Sequence, residues 1–242
     1  IGMGALARAD GAAVLGQARD IAETYGVVTK TWNGFNILHS AASRVAGLDM
    51  GFVPEKSGLD VEAMYKAAEA GKLDLVWLLG ADEADLARLK NAFIVYQGHH
   101  GDNGAHHADV VLPGAAYTEK DGIYLNTEGR VQYANRAAFP PGEAREDWAI
   151  LRAFAGVMKI NVGFDSLDEL RELLFRAVPH FADRDMISPA KWTKFGSRAK
   201  VKPVKLTTAI DNFYMTCAIS RASETMAECM RANGTDQAEA AE

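Results

Sequence analysis

The densest group of chemically competent side chains lies in residues 98–109, which hold four of the six histidines of the chain and two aspartates. Imidazole and carboxylate groups can bind Zn²⁺ or a similar ion. However, adjacent histidines point in different directions, and no H-E-x-x-H or C-x-x-C motif accompanies them. We therefore predict no metal site and take Gly98, His99, His106 and His107 as candidates for lining a pocket. A glycine-rich loop whose histidines only form caps and hydrogen bonds remains the alternative.

A second motif, the G-x-G-x-x-A pattern of Gly2–Ala7, matches the dinucleotide fingerprint. Its context is poor, because the helix that should follow begins only near Asp10. The next candidate strand ends in Thr29-Lys30 and lacks the acid that would bind a ribose hydroxyl. A turn between a strand and a helix is therefore favoured over nucleotide binding. The chain contains no Walker loop and no G-x-S-x-G elbow, and we assign no catalytic residue.

Composition excludes several classes of protein. The 26 basic and 32 acidic residues give a net charge of −6, which excludes a basic surface over the whole protein that would bind nucleic acid. Only two cysteines are present, Cys217 and Cys229. They are too few for a disulfide scaffold or for an iron–sulfur cluster held by this chain alone.

The elements that position these residues follow from hydrophobic periodicity. Continuous apolar runs at residues 73–79, 92–96 and 109–112 indicate buried strands that alternate with helices, which is typical of a parallel sheet in an α/β fold. Such sheets bind ligands beyond the carboxyl ends of their strands, where residues 98–109 would lie. The other predicted elements are helices at 10–25, 37–46, 59–70, 84–90, 147–158 and 166–178, a strand at 27–29 and a hairpin at 122–133.

The window 186–210, here the basic window, carries six cations and no acidic residue. Either it docks on an acidic or nucleic-acid partner, or it is a solvated connector whose charge balances an acidic body. A stripe of apolar residues between Ile219 and Cys229 predicts a helix near the end. The polar tail beyond Asn233 is predicted to be disordered.

Several ordered motifs resemble those of the molybdopterin oxidoreductase family: Ala108–Gly114, Glu119–Gly122, Asn126–Gln132 and Pro141–Arg145. A narrower resemblance is to the large iron–sulfur subunits (75 kDa type, the G subunit in bacteria) of respiratory NADH–quinone oxidoreductase, complex I. The residues that carry it are 97–107, 38–40 with 48–52, and 213–216 with 219–223. Where that family has Asp-Pro, this chain has Cys217-Ala218.

The resemblance implies dinucleotide-binding-like layers around a parallel sheet, followed by an extended basic arm and a short helix. The chain is expected to be the C-terminal part of a subunit whose iron–sulfur clusters lie upstream, with no cofactor of its own and a vestigial pocket at Gly98, His99, His106 and His107. The implied boundaries are 1–160 for a degenerate α/β domain, 161–182 for a helical extension, 183–218 for the arm, 219–231 for the helix and 232–242 for a disordered acidic tail.

The resemblance also implies a function. The chain would be a structural and assembly segment of the electron-input arm of complex I, which passes electrons from NADH through iron–sulfur clusters to quinone and couples this to proton translocation. Lys200, Lys202, Tyr214 and Arg221 would contact other subunits of that arm, with no nucleic acid and no membrane insertion. The segment would lie on the cytoplasmic side of a bacterial inner membrane or the matrix side of the mitochondrial one. The alternative is an active molybdopterin-dependent oxidoreductase in which residues 99–107 line a pterin pocket.

Overall fold

The chain forms two structural units in the computed structural model, which describes residues 1–204, 210 and 212–239. The N-terminal unit combines Ile1–Phe52, Ile123–Tyr133 and Ala177–Asp211. The sheet unit combines Val53–Gly122, Ala134–Arg176 and Asn212–Glu242. Both units therefore draw on chain from either side of residue 160, whereas the sequence predicts one domain that ends there.

The sheet unit contains the predicted parallel sheet. Its strands are β1 (Leu75–Leu79), β2 (Phe93–Gly98) and β3 (Val110–Pro113), in the spatial order β1-β2-β3 and all parallel. Uninterrupted apolar sequence is what a central parallel strand requires, and four consecutive residues of β2 are buried. The prediction of a parallel-sheet fold that mixes helices and strands is confirmed.

Helix α4 (Val61–Glu69) and a 3₁₀ turn pack with strands β1 and β2 to form the core of the unit. Helix α4 is capped by Asp60, which accepts a hydrogen bond from the Ala63 amide at 2.8 Å. Helix α5 is Asn103–His107, α6 is Asp147–Val157 and α7 is Leu167–Ala177, while the helix predicted at 84–90 is a 3₁₀ turn at Leu86–Leu89. The buried side chains that pack together are Ala68, Leu78, Leu86, Leu89, Ile94 and Tyr96.

The N-terminal unit contains α1 (Met3–Leu6), α2 (Gly11–Thr24), α3 (Arg44–Asp49), the hairpin strands β4 (Gly122–Leu125) and β5 (Val131–Ala134), and a 3₁₀ turn at Pro179–Ala182. The predicted strand at 27–29 was wrong, since Val28 forms only an isolated bridge to Asn33. The helix predicted at 37–46 begins only at Arg44, because Leu38 exchanges backbone hydrogen bonds with the chain start instead.

Two helices, α8 (Ala218–Arg221) and α9 (Glu224–Glu239), replace the single short helix predicted at 219–231. Helix α9 continues into the tail that the sequence predicts to be disordered, while residues 240–242 lie outside the described residues. Within the described part of the chain, no helix has both the length and the apolar character that crossing a membrane requires.

Candidate functional site

The histidines of residues 98–109 form two separate pairs. In one pair, the Nδ1 atoms of His99 and His100 lie 2.6 Å apart. Partial burial lowers the pKa of His99, and neighbouring His100 and Lys120 lower it further. In the other pair, His106 and His107 each donate Nδ1–H to a backbone carbonyl one turn earlier, at 3.0 Å. No group of three potential metal ligands occurs among residues 1–204, 210 and 212–239.

Two glycines of this loop contact the ring of Tyr96, which is only 2% exposed. A Cβ atom added at Gly98 would lie 2.4 Å from the Tyr96 hydroxyl, and one added at Gly104 would lie 2.4 Å from its ring. These approaches are far shorter than a carbon atom tolerates. The glycines are therefore required by a side chain of the protein itself.

Arg221 enters the carboxyl edge of the sheet from the C-terminal segment. Its Nε donates to Asp102 at 2.6 Å, its Nη2 forms an ion pair with Asp82 at 2.9 Å, and its Nη1 lies 3.4 Å from Glu83. Asp82 follows β1 and Asp102 follows β2, so adjacent parallel strands deliver the two carboxylates to one place. Nη1 also donates to the carbonyl of Met215 at 3.3 Å.

The electrostatics of this cluster stabilise the charged forms of Asp102 and Arg221. Burial alone would raise the pKa of Asp102, but hydrogen bonds from Arg221 and from the Asn103 amide lower it below its ordinary value. Burial would likewise lower the pKa of Arg221, but its bonds to Asp102 and Asp82 raise it above the ordinary value. Asp102 and Arg221 therefore stabilise each other's charged forms.

Sequence reasoning missed this cluster. The helix predicted at 84–90 would place Asp82 and Glu83 just before its first turn, but the 3₁₀ turn begins only at Leu86 and both carboxylates face Arg221. An unpaired acidic run directly after a buried strand was the available signal. Whether Arg221 also contacts another subunit stays a prediction, as it does for Tyr214, which is half-buried.

A buried polar network on β2 was also missed. The side chain of Gln97 is fully buried, accepts a hydrogen bond from Trp77 Nε1 at 3.2 Å and donates to Asp147 Oδ1 at 2.9 Å. Asp147 in turn pairs with Lys120. A buried amide must be hydrogen-bonded, so this network fixes the start of α6 against the sheet. It leaves Asp147 without the catalytic freedom of an unpaired carboxylate.

The basic window packs on α2 within the N-terminal unit. The Ser197 amide donates to the Ala12 carbonyl at 2.7 Å, and Arg19 donates to the Phe195 carbonyl at 2.6 Å. Gly16 makes this approach possible, because a Cβ atom there would lie 2.2 Å from the Ser197 carbonyl oxygen. The rings of Phe35, Trp192 and Phe195 complete the contact, with centroids 4.9 to 5.5 Å apart.

Lys200 and Lys202, the predicted partner contacts, have exposed side chains. The backbone of Lys202 is nevertheless fixed, because its amide donates to Asp10 at 2.7 Å and its carbonyl accepts from Arg8 at 3.0 Å. Neither lysine forms a side-chain ion pair within the part of the chain that the structure describes. Lys205 lies outside the described residues.

A shallow cleft of about 340 Å³ lies beside the Pro141–Arg145 motif. Its polar groups are largely engaged: Arg136 pairs with Glu146 at 3.5 Å, and Glu146 accepts from Trp148 Nε1 at 2.8 Å. Arg136 also stacks on Phe139, with 4.5 Å between the guanidinium carbon and the ring centroid. The cleft therefore offers few free polar groups that could orient a cofactor.

Two models of known protein families match parts of the chain. The model of the molybdopterin oxidoreductase family matches residues 1–157. The chain belongs to the molybdopterin oxidoreductase family. A second model, described as the C-terminal part of the NADH-ubiquinone oxidoreductase G subunit, matches residues 186–229. The molybdopterin oxidoreductase match contains Asp82 and Asp102, while the second match contains Arg221, so the ionic cluster joins the two matched regions.

The chain is also similar to curated proteins over nearly its whole length. It is 44% identical to the G subunit of the NADH-quinone oxidoreductase of Rickettsia felis over 232 residues, covering 96% of this chain and 33% of that protein. It is 40% identical to the NADH-ubiquinone oxidoreductase 75 kDa subunit of Reclinomonas americana, with 95% and 33% covered. The mitochondrial 78 kDa subunit of Neurospora crassa is 44% identical, with 86% and 28% covered.

The predicted resemblance to the large iron–sulfur subunits of complex I is thereby confirmed. The chain spans about a third of the length of the relatives it matches. What those complete proteins do is a separate question from what this third contributes.

Proposed function

We propose that this molybdopterin oxidoreductase-family chain is the structural and assembly segment of a complex I electron-input subunit. The observation that carries the proposal is 44% identity over 96% of the chain to the G subunit of an NADH-quinone oxidoreductase. The complete subunit would take part in electron transfer from NADH to quinone, with its iron–sulfur clusters in the part that precedes this chain. The segment itself would contribute no catalytic residue and no cluster ligand.

The geometry of the histidine loop supports this non-catalytic role. His106 and His107 use their Nδ1 atoms to bond their own helix, and Gly98 and Gly104 accommodate Tyr96. A pterin pocket would need free polar groups that converge on a cavity. No observation at this loop favours the alternative of an active molybdopterin enzyme, so Gly98, His99, His106 and His107 are proposed as vestigial.

The basic window would supply the contact with neighbouring subunits. Its backbone is held on α2 while the side chains of Lys200 and Lys202 extend into solvent. A fixed backbone reduces the entropy lost when a charged surface docks, and cations of one sign steer an acidic partner. The proposed partner is therefore an acidic face of another subunit in the peripheral arm, at the inner membrane surface that faces the cytoplasm or the matrix.

Charge reversal tests this contact. In the complete complex, the double variant Lys200→Glu with Lys202→Glu should lower the yield of assembled enzyme by about tenfold at physiological salt, because like charges would face each other across the interface. Native gel electrophoresis and NADH oxidation by the assembled fraction measure the loss. Melting of the subunit should stay unchanged, since the hydrogen bonds that hold Lys202 involve its backbone.

A matched control uses two exposed lysines of the sheet unit, Lys72 and Lys90. Reversing them changes the net charge by the same amount and should leave the assembly yield unaltered. Normal assembly of the Lys200 and Lys202 variant would remove the basic window from the interface and return it to the role of a solvated connector.

A further inference from the structure

The carboxyl edge of the parallel sheet is where folds of this class bind ligands, and here it holds a side chain of the protein itself. Arg221 lies between the carboxylates that follow β1 and β2, at 2.9 Å from Asp82 and 2.6 Å from Asp102. We infer that Asp82, Glu83 and Asp102 form a guanidinium-binding site whose ligand is Arg221, and that this internal ligand closes the sheet edge to a phosphate-bearing pterin.

The first support is the match between the donor and its acceptors. A guanidinium is a planar fork, and each nitrogen of Arg221 lies within 3.4 Å of a different carboxylate, although Nη2 forms its ion pair with Asp82 without hydrogen-bond geometry. Nε faces Asp102, Nη2 faces Asp82, and Nη1 faces Glu83 and the Met215 carbonyl. A lysine ammonium at the same place is a single point charge and could not reach these directions together. The site therefore selects the shape of the cation as well as its charge.

The second support is burial. The side chain of Asp82 is 8% exposed, that of Asp102 is 21% exposed and that of Arg221 is 25% exposed. Partly buried charges that lose their partner face a desolvation cost that surface pairs do not. Removing Arg221 would leave two carboxylates close together without a counter-charge, so the site should bind a replacement cation.

The third support is that the edge does not fit the cofactor after which the family is named. A phosphate-bearing pterin would meet three carboxylates against the single cation of Arg221, and like charges repel it. The loop glycines that could have admitted a ligand instead accommodate Tyr96, because a Cβ atom at Gly98 or Gly104 would lie 2.4 Å from that side chain. Charge and space thus both disfavour the cofactor at this edge.

The consequence is a defined role for the C-terminal segment. Residues 212–233 include Arg221 and the first turns of α9. With Arg221 bound, this segment covers the edge of the sheet as an internal ligand would. Without it, the segment should open locally while strands β1 to β3 stay paired, because the strands are held by their own backbone ladder.

Chemical rescue tests the site directly. In the full-length protein, Arg221→Ala should speed amide hydrogen exchange in residues 212–233 by about tenfold or more, with exchange in β1–β3 unchanged. Guanidinium at about 20 mM should restore most of the protection, whereas methylammonium at equal ionic strength should not. Adding Asp102→Asn to Arg221→Ala should abolish the rescue, because it removes the carboxylate that meets Nε.

Three results would overturn the inference. They are equal protection by guanidinium and methylammonium, no protection by either, or an equal gain of protection when guanidinium is added to the wild type, whose site is already filled.

If Arg221→Ala fails to fold, Arg221→Lys serves instead. Exchange in residues 212–233 should then be faster than in the wild type, and wild-type exchange would refute selection for a guanidinium. Stoichiometric pterin released by acid from the wild-type protein would refute the closure of the edge. Since these measurements concern binding and local opening, they stand apart from the assembly test of the proposed function.

Discussion

Two cationic stretches near the end of the chain are fixed in opposite ways. The basic window is held through its backbone and its aromatic rings, while Lys200 and Lys202 extend into solvent. The segment 212–221 is held through its cation, since Arg221 is surrounded by carboxylates of the sheet unit. Cationic residues close together in the sequence can therefore differ: Lys200 and Lys202 are exposed to solvent, whereas Arg221 is paired with carboxylates inside the fold.

The difference follows from what each stretch contacts. The basic window lies on α2, whose Gly16 leaves room for a second backbone and whose Ala12 carbonyl accepts a hydrogen bond from Ser197. The segment 212–221 instead meets two carboxylates delivered by neighbouring strands, where an isolated charge would be costly. We propose partner recognition for the first kind of stretch, whereas the second kind stabilises the fold through its ion pairs.

The largest effect is expected from filling the space that Gly16 of α2 leaves for the backbone of the basic window. Gly16→Ala places a carbon 2.2 Å from the Ser197 carbonyl oxygen, so either the window or the helix must move. We expect a loss of about 1–3 kcal/mol in the free energy of unfolding, as for overpacked cores, and release of the window. Denaturant unfolding and protease cleavage within residues 186–204 measure the two effects.

Gly47→Ala is the matched control. Gly47 also lies in a helix, but a Cβ atom there meets nothing within 4 Å. Its substitution should leave the basic window protected and should stabilise α3 slightly through helix propensity. Equal cleavage in the two variants would show that Gly16 does not seat the window.

A change of pH tests a second contact that holds the basic window, the one between Asp10 and the backbone of Lys202. The Arg8 guanidinium and the Lys202 amide, both bonded to Asp10, lower the pKa of that carboxyl from 3.8 to about 2. A lowered pKa means that the stabilisation is complete above pH 4 and is lost as the pH falls towards 2. Hydrogen exchange near Lys202, corrected for its intrinsic pH dependence, should therefore accelerate across this range.

The variant Asp10→Asn separates this carboxyl from others with lowered pKa values, such as Glu62 and Glu69 beside Arg88. An amide cannot titrate, so the step in exchange near Lys202 should vanish in the variant. A step of the same size in both proteins would assign it to other groups and would remove Asp10 from the support of the window.

The fold was predictable where one local rule decides the structure. The uninterrupted apolar runs identified β1, β2 and β3, and the helix predicted at 59–70 contains the whole of α4. Prediction failed where distant chain supplied the hydrogen bonds. Residues near Leu38 look helical, yet their backbone bonds to the first residues of the chain.

The location of the candidate site was predictable from the sequence, but the residues that fill it were not. The histidine loop does follow β2 at the carboxyl edge of the sheet, as the alternation of strands and helices required. The residue that fills this edge, Arg221, is 119 positions from Asp102, and local sequence contains no signal for such a pairing. Asp10 was likewise predicted as a helix cap, although its carboxylate bonds Arg8 and Lys202 instead.

The smallest effect concerns the thiol beside Arg221. The hydroxyl and backbone amide of Ser220 lower the pKa of Cys217, and the positive charge of Arg221 lowers it by a lesser amount. Ser220→Ala should therefore raise the pKa of Cys217 and slow its alkylation at pH 8 by about two- to threefold, because the thiolate is the reactive form. Rates measured with iodoacetamide and peptide mass spectrometry test this, with alkylation of Cys229 in the same sample as the internal control. If Arg221 is bound within the carboxylate site as inferred, most of its field at Cys217 is neutralised, so removing its charge in Arg221→Gln should change the rate less than Ser220→Ala. The reverse order would mean that the arginine charge is free to act on the segment, which is the behaviour expected of the lysines in the basic window.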